Sequence, residues 1–467
     1  MPIETDDKSP LTLGTKSINS LLIQYSVPAI IASVATSLYN IIDSIFIGQG
    51  VGPMAIAGLA ITFPLMNLVI AFVTLIAVGG ATISSIFLGQ KNIPRATDVV
   101  NNVFILCLIH AAIFGGVTLI FLDDILYLFG ATPETISYAR EFMQVILYGT
   151  PISYIFIGLN NLMRATGYPK KAMISALLSV AVNIILAPIF IFALEWGIRG
   201  AALATMCGQS AACIWVLYHF MSKESFVHFC RGNQWFSPAI TRRIYAIGMS
   251  PFLMNICACI VVVFINKALL EYGAESGNLS VGAYGIINRT TMFFVMIVFG
   301  VTQGMQPILG FNFGANNWDR VKKTLSIGIR MGVLISSLGF LVTEIFPDEV
   351  SRLFTTDATL TDIARNGFRL YFIFFPVVGC QIVITNFFQS IGSPKLSIFL
   401  SLTRQLIFLI PCLLIMPHFW GLNGVWLGMA TSDLLAFILA VITLIVMIRR
   451  LNRRFDSITP TVRSMSR

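Results

Sequence analysis

A chain of 467 residues that is 56% hydrophobic and only 11% charged is not composed like a water-soluble domain, since such domains carry about 25% charged residues. One bilayer crossing takes roughly 20 apolar residues, so this length holds about twelve crossings with short loops and no sizeable soluble domain. That excludes a receptor with a large ectodomain, a pump with a nucleotide-binding domain and most soluble enzymes. The net charge of +9 invites a nucleic-acid reading, but no basic folded module accompanies it.

In chain order, the hydrophobic runs predict spans near 21–47, 55–85, 99–121, 138–162, 172–194 and 200–221. A second six lie near 243–269, 281–305, 324–346, 368–390, 396–416 and 422–448. With both termini on the inner side, the inner loops and tail carry 21 Lys and Arg residues against 6 outside. The inner set includes Lys8, Lys91, Lys170, Lys171, Lys223, Arg231 and Lys322, and the outer set is diluted by acids such as Asp348 and Glu275. The excess of positive charge on inner loops therefore predicts that both termini are cytoplasmic. The basic tail then reads as a topology and lipid-headgroup anchor. The first twenty residues are polar and mixed in charge, and the apolar run after them is too long for a cleavable signal. The first span is expected to act as the insertion signal.

The eight cysteines, Cys230 among them, show no zinc-ligand spacing and read as small apolar fillers. The four histidines, His110, His219, His228 and His418, are scattered, which removes the usual intramembrane metalloenzyme. Asp123-Asp124 reads as a solvated turn on an outer loop.

An internal repeat outweighs any single motif. The string ATGYPKKAMIS at 165–175 returns as SIGSPKLSIFL at 390–400, so Gly167, Pro169 and Lys170 match Gly392, Pro394 and Lys395. WGIRGAALAT at 196–205 returns as WGLNGVWLGM at 420–429, LGQKN at 88–92 echoes FGANN at 313–317, and Pro28 aligns with Pro251. The shift moves each span six places forward, an even number, so the inside–outside sense is kept and the halves are parallel repeats. The expected fold is all-α and integral to the membrane: twelve transmembrane helices in two parallel-repeat six-helix bundles around a central cavity. The expected domains are an N-terminal bundle at 1–221, a cytoplasmic linker at 222–242, a C-terminal bundle at 243–448 and a basic tail at 449–467. Two such bundles facing one another suit a secondary transporter.

Charge inside a bilayer costs about 2.5–3.5 kcal/mol on insertion scales and marks function by default. Asp43 is the sharpest instance. Ser33, Thr36, Asn40 and Asp43 recur at steps of three or four on the first span, with Tyr39 flanking the same face. The fifth span offers Ser175, Ser179 and Asn183, and the sixth offers Thr205 and Gln209. A carboxylate, an amide and a hydroxyl on neighbouring helices could cage a small hard cation, or the carboxylate could carry a proton. For Ser175 and Ser179, simple helix packing is the favoured reading. Asp43 aligns with Asn266 in the second half. Asp433 and Arg404 are placed to neutralise each other, Arg289 sits in the eighth span, and Gln381 begins a polar face on the tenth. Pro28, on the same span as Asp43, is the candidate hinge.

In NIIDSIFIG (40–48), LGQKN (88–92), MRATGYPKKAM (163–173), WGIRGAALAT (196–205) and FGANN (313–317), the chain resembles a bacterial branch of the multidrug and toxic compound extrusion (MATE) transporters. The resemblance covers nearly the whole chain. It implies two bundles around a V-shaped cavity in the bacterial cytoplasmic (inner) membrane. It also implies export of small organic cations against incoming H+ or Na+, with no other cofactor. Carried over, the cation site falls on Asp43, Asn183 and Thr205, open to H+ or to Na+, and the stripe adds Asn40 beside them. Tyr39, Thr36, Ser179, Gln209, Asn266 and Gln381 are the candidate substrate-cavity residues. Two departures bear on the coupling ion: related sequences often carry an acid where this chain has Ala187, and some carry one at Asn266. A monomer suffices for this architecture. The rival readings are a lipid-linked oligosaccharide flippase of the same superfamily, which would show more cavity Arg and Lys, and an integral-membrane enzyme, which would show clustered acids or histidines.

Overall fold

A computed structural model describes residues 10–222, 225–229, 235–273, 277–355 and 357–465; Lys8, Lys223, Cys230, Arg231 and Glu275 lie outside them. A short 3-10 turn, Pro10–Gly14, precedes α1 (Ile18–Gly50). Then follow α2 (Pro53–Gly89), α3 (Ile93–Ile120), a bent α4 (Ile136–Tyr148 and Thr150–Ala165), α5 (Pro169–Pro188) and α6 (Gly197–Met221). The second half has α7 (Pro238–Tyr272), α8 (Gly277–Gly314), α9 (Trp318–Ile345) and a two-part α10 (Ala358–Tyr371 and Phe375–Ser390). Helix α11 starts at Pro394, and the chain then runs helical to Met465 except at Gly421, where φ 54 and ψ −135 separate α11 from α12 (422–465). With α4 taken as one span bent by 56° and the break at Gly421 counted, the described residues hold twelve spans.

The helix boundaries have local causes. Prolines open α2, α5 and α7, where the missing N–H costs nothing. The side chains of Ser17, Asn92 and Asp357 accept from the backbone N–H three residues on and cap α1, α3 and α10. Apart from Pro28 and Pro251, which lie inside helices, the repeat landmarks turn out to be turns. Lys91 and Asn316 both have φ 57, while Gly167 and Gly392 have φ 109 and 71, the left-handed region that ends helices. Duplicated sequence is thus duplicated chain reversal.

Several boundaries differ from the sequence expectation. The tenth span starts at Ala358 rather than near 368, because the polar stretch 358–371 is a strongly amphipathic helix rather than a loop. The segment read as a linker to 242 ends at Ser237, where α7 begins. Beyond 448, α12 simply continues. Asp123 is not merely a solvated turn: it lies in a helix, Leu122–Leu128, and takes both guanidinium bonds of Arg140 at 2.6 and 2.8 Å. Asp348 and Arg365 repeat that pair in the second half at 2.5 and 2.7 Å.

The two halves meet through α1 against α8 and α2 against α7 and α8. Glycines make the closeness. A methyl group on Gly79 would lie 2.1 Å from the Ile244 carbonyl oxygen, and one on Gly248 would lie 1.7 Å from that of Leu75. Gly304 abuts the Ser26 backbone, Gly89 the Phe311 carbonyl and Gly314 the Ile86 carbonyl. Without a hydrophobic drive between helices inside a membrane, such small-residue contacts carry much of the association. Among the described residues, the glycine contacts between halves all fall between the midplane and the end where α1 begins, called the basic end below.

Candidate functional site

The far half of α1 is packed on one side only. Asp43 and Ile47 are buried, while Leu38, Asn40, Ile41, Ser44 and Ile45 are exposed. The buried side faces α5 and α6, and those two helices are themselves drawn together by Gly208, whose missing side chain lets the Ser179 carbonyl oxygen approach to within 2.4 Å of where a Cβ would stand. That approach sets Asn183 beside Thr205.

The resulting cluster can be followed bond by bond. Asn183 Nδ2 donates to Thr205 Oγ1 at 3.1 Å, and Thr205 Oγ1 donates to the Ala201 carbonyl oxygen at 3.2 Å. The Thr205 hydrogen being committed there, the Tyr39 hydroxyl, 3.3 Å away, donates to the same oxygen. Thr205 has then used its one hydrogen and both acceptor positions. Asp43, one turn beyond Tyr39, is only 7% exposed, and its Oδ1 has no hydrogen-bond partner. A buried, unsatisfied carboxylate oxygen is expensive to keep, and it lies on the buried side of α1, one turn from the Tyr39 that bonds to α6. One turn after Asn183, Ala187 is fully buried and supplies no oxygen.

The structure therefore joins Tyr39, Asn183 and Thr205 by hydrogen bonds, with Asp43 buried one turn beyond Tyr39 on α1. Asn40 and Thr36 are exposed and their side chains make no hydrogen bond to that cluster, and the Thr36 hydroxyl is bonded back to the Ala32 carbonyl oxygen at 2.8 Å. Gln209 lies one turn beyond Thr205 and accepts from Ser153 of α4, a partner the sequence reading did not single out. Ser179 contributes backbone rather than side chain to the α5–α6 contact. Ser175 is fully buried and accepts from Asn160 at 2.6 Å, which is the packing role. Asn266, half-buried on α7, is not part of the cluster. Pro28 is buried within an unbroken α1.

Gln381 belongs to a separate polar centre in the second half. It lines a cavity of about 30 Å³ with Thr385, Asn386, Ser401, Arg404 and Gln405. There Arg404 Nε donates to Asp433 at 2.8 Å, the mutual neutralisation expected of the two. A π turn, Thr403–Phe408, carries Arg404 and Gln405, a local widening that often accompanies function. Nothing in linear spacing announced it.

Among the described residues, a duplicated twelve-span helical fold with a buried carboxylate in its first half suits a membrane transporter. The MatE family model matches residues 28–189 and again 246–415, one copy per half, and the chain belongs to that family. It is 28% identical over 423 residues to the multidrug export protein MepA of Staphylococcus haemolyticus (strain JCSC1435), covering 90% of this chain and 92% of that one. MepA of Staphylococcus aureus (strain NCTC 8325 / PS 47) is 27% identical over 434 residues. In fold, the chain is similar to a multidrug resistance MATE family transporter solved in an outward-facing conformation, with TM-score 0.90 and 24% identity over 95% of this chain and 98% of that one. A MOP superfamily transporter from Pyrococcus furiosus Vc1 gives TM-score 0.89 over 95% and 99% of the two chains. The protein is thus a multi-pass membrane protein of the MATE fold.

Proposed function

We propose that this protein is a secondary active multidrug exporter of the bacterial cytoplasmic membrane, expelling organic cations in exchange for an ion that enters through Asp43. The observation that carries the reading is the buried Asp43 carboxylate with an unpartnered oxygen, one turn from the Tyr39 that bonds to α6. Membership of the MatE family and similarity to MepA multidrug export proteins support the efflux class. The outer half of α1 leaves Asn40, Ile41 and Ser44 exposed while the basic end is closed by backbone-close packing. With the basic end cytoplasmic, as the loop charges predict, this is the state that releases substrate outward and admits the ion.

Oxygen accounting favours a proton as that ion. Thr205 has no lone pair to spare, the Ala187 side chain offers none, and what remains is Asp43, the Asn183 side-chain carbonyl and the weakly donating Tyr39 hydroxyl oxygen. Hard cations such as Ca2+ and Mg2+ want about six oxygens, and Na+, equally hard, is poorly served by these. A carboxylate needs only one accessible oxygen to take a proton. In the cycle, Asp43 protonates from the outer side and loses its attraction for the cationic substrate, which leaves. The halves then part at the basic end, the proton departs inward, and the charged carboxylate binds the next cation.

The test is dye transport in proteoliposomes with a pH gradient and a sodium gradient imposed separately. Export driven by the pH gradient and abolished in Asp43→Asn is the expected outcome. Transport driven by sodium alone would keep the exporter reading and replace the ion. Movement under neither gradient would sink the reading.

A further inference from the structure

The segment before α1 does something the transport reading does not require. Pro10–Gly14 lies across α2 and α8, over the seam where Gly89 meets Phe311 and Gly314 meets Ile86. Leu13 is fully buried there, and Gly14 sits so close to the Phe311 ring that a Cβ would stand 3.0 Å from it. Donors from the second half hold the segment's backbone. Arg320, in the first turn of α9, donates through Nη2 to the Leu13 and Lys16 carbonyl oxygens at 3.0 and 2.6 Å. Its Nε donates to Asn312 Oδ1 at 3.0 Å, and Asn312 Nδ2 donates to the Leu13 carbonyl oxygen at 3.0 Å. Asn312 is itself wholly buried on α8. The covalent continuation of the segment is α1, which belongs to the first half.

We infer that residues 10–16 form a strap that locks the basic end shut, and that its release from Arg320 and Asn312 is a step in opening that end. The inference rests on the alternating-access reading above. Its physical basis is that the halves cannot part along α2 and α8 while a segment continuous with α1 stays bonded to α8 and α9. None of these three bonds to the strap, nor the Arg320–Asn312 bond that braces them, uses a carboxylate, and hydrogen bonds from a charged guanidinium to carbonyl oxygens are among the stronger ones. The lock is therefore set by geometry and opened by movement of the helices, independently of the charge on Asp43. A strap held by one arginine is also adjustable: weakening it tilts the balance between the two states without touching the ion site.

The experiment places spin labels on Lys91→Cys and Asn316→Cys, in a full-length chain whose eight native cysteines are replaced. Both positions are exposed turns at the basic end, one on each side of the seam. Distance distributions are recorded in lipid at high and low pH and with a cationic substrate. The expected result is a short and a long distance in exchange, with Arg320→Ala raising the long-distance population several-fold and Arg320→Lys giving an intermediate shift. A reducible bridge between Gly14→Cys and Phe311→Cys should suppress the long distance and stop transport until it is reduced. If the long distance appears in the parent protein but is unmoved by Arg320→Ala, or if bridged protein still transports, the strap is overturned while alternating access stands. If a single distance persists under every condition, alternating access fails and the strap with it.

Discussion

Among the described residues two carboxylates, Asp43 and Asp433, are buried, in opposite circumstances, and they should respond oppositely to the same substitution. Asp43 is buried with an unpartnered oxygen, so Asp43→Asn removes a charge that nothing neutralises. Its melting temperature should stay level or rise while gradient-driven transport is lost. Asp433 neutralises Arg404 at 2.8 Å, so Asp433→Asn leaves a guanidinium without its counter-charge. Breaking such a pair costs about 3–5 kcal/mol when it is fully buried, and Arg404 keeps a quarter of its side-chain surface. A melting temperature several degrees lower is expected; unchanged stability with lost transport would instead make the pair part of the transport chemistry. Thr205→Val tests the cluster itself, because it strands the Asn183 amide and the Tyr39 hydroxyl together. Stranding buried donors costs about 1–3 kcal/mol each, and transport should fall at least ten-fold in protein that still purifies folded. The Asp43, Asn183 and Thr205 group was legible in the sequence because a polar side chain in an apolar span is costly wherever it points. Asn40, on the same stripe, is exposed instead: a stripe three or four residues apart is about 100° wide, and only the neighbouring helices decide which edge of it is covered. Ser153 gave no signal, since a serine can hide in any helix by bonding to its own backbone.

At the scale of helices, the repeat was readable where the chain turns and unreadable where helices touch. Gly167 and Gly392 were found by their flanking Pro-Lys, and the structure shows why glycine stands there: both have positive φ. The paired ion bridges, Asp123 with Arg140 and Asp348 with Arg365, obey the same 225-residue shift, yet each charge taken singly looked like loop solvation. The Arg365 guanidinium holds the Asp348 carboxyl below the usual carboxylate range. Whatever that bridge contributes is present above the unfolded carboxylate pKa and is lost only as pH falls through the depressed value, so it adds no pH dependence near neutrality. The glycine contacts between halves were invisible as well, because crossing points depend on how two distant helices are rotated. They carry a clear prediction. Gly304→Val would place its side chain within about 3 Å of the Ser26 backbone, where the Cβ alone stands 2.6 Å from Ser26 N and 2.4 Å from its hydroxyl. Overpacking of this kind costs about 1–3 kcal/mol, and it falls only on the state in which α1 and α8 are closed. The variant should accumulate with the basic end open, read as faster modification of a cysteine introduced at Ser26, with the fold intact by circular dichroism. Slow modification at Ser26 in that variant would show that the seam can absorb the bulk.

For the whole molecule, the seam, the strap and the buried Asp43 proposed to take up the ion lie at different heights, and that separation is what the proposed exchange needs. Close packing runs from the basic end to about the middle of α1, at Ser26 and Ile30. Asp43 stands some thirteen residues further along, about 20 Å at 1.5 Å per residue, beyond the close glycine contacts. Arg164 adds a second tie at the closed end: it is 9% exposed and donates to Gln303 across the halves and to Asn160 within its own. One end of the protein is thus held by glycine contacts, amides and two arginines, and among the described residues no glycine contact joins the halves at the other. Sidedness can be checked directly in intact cells with a membrane-impermeant thiol reagent. Ser44→Cys, exposed on the far half of α1, should react from outside, while Ser26→Cys, 1% exposed in the seam, should not. Lys91→Cys should react only after the membrane is permeabilised, as a cytoplasmic loop must. A bound organic cation in the cleft should slow the reaction at Ser44 without altering that at Lys91. Reaction of Lys91→Cys in sealed cells would invert the topology, make the closed end external, and turn the export direction proposed for this chain around.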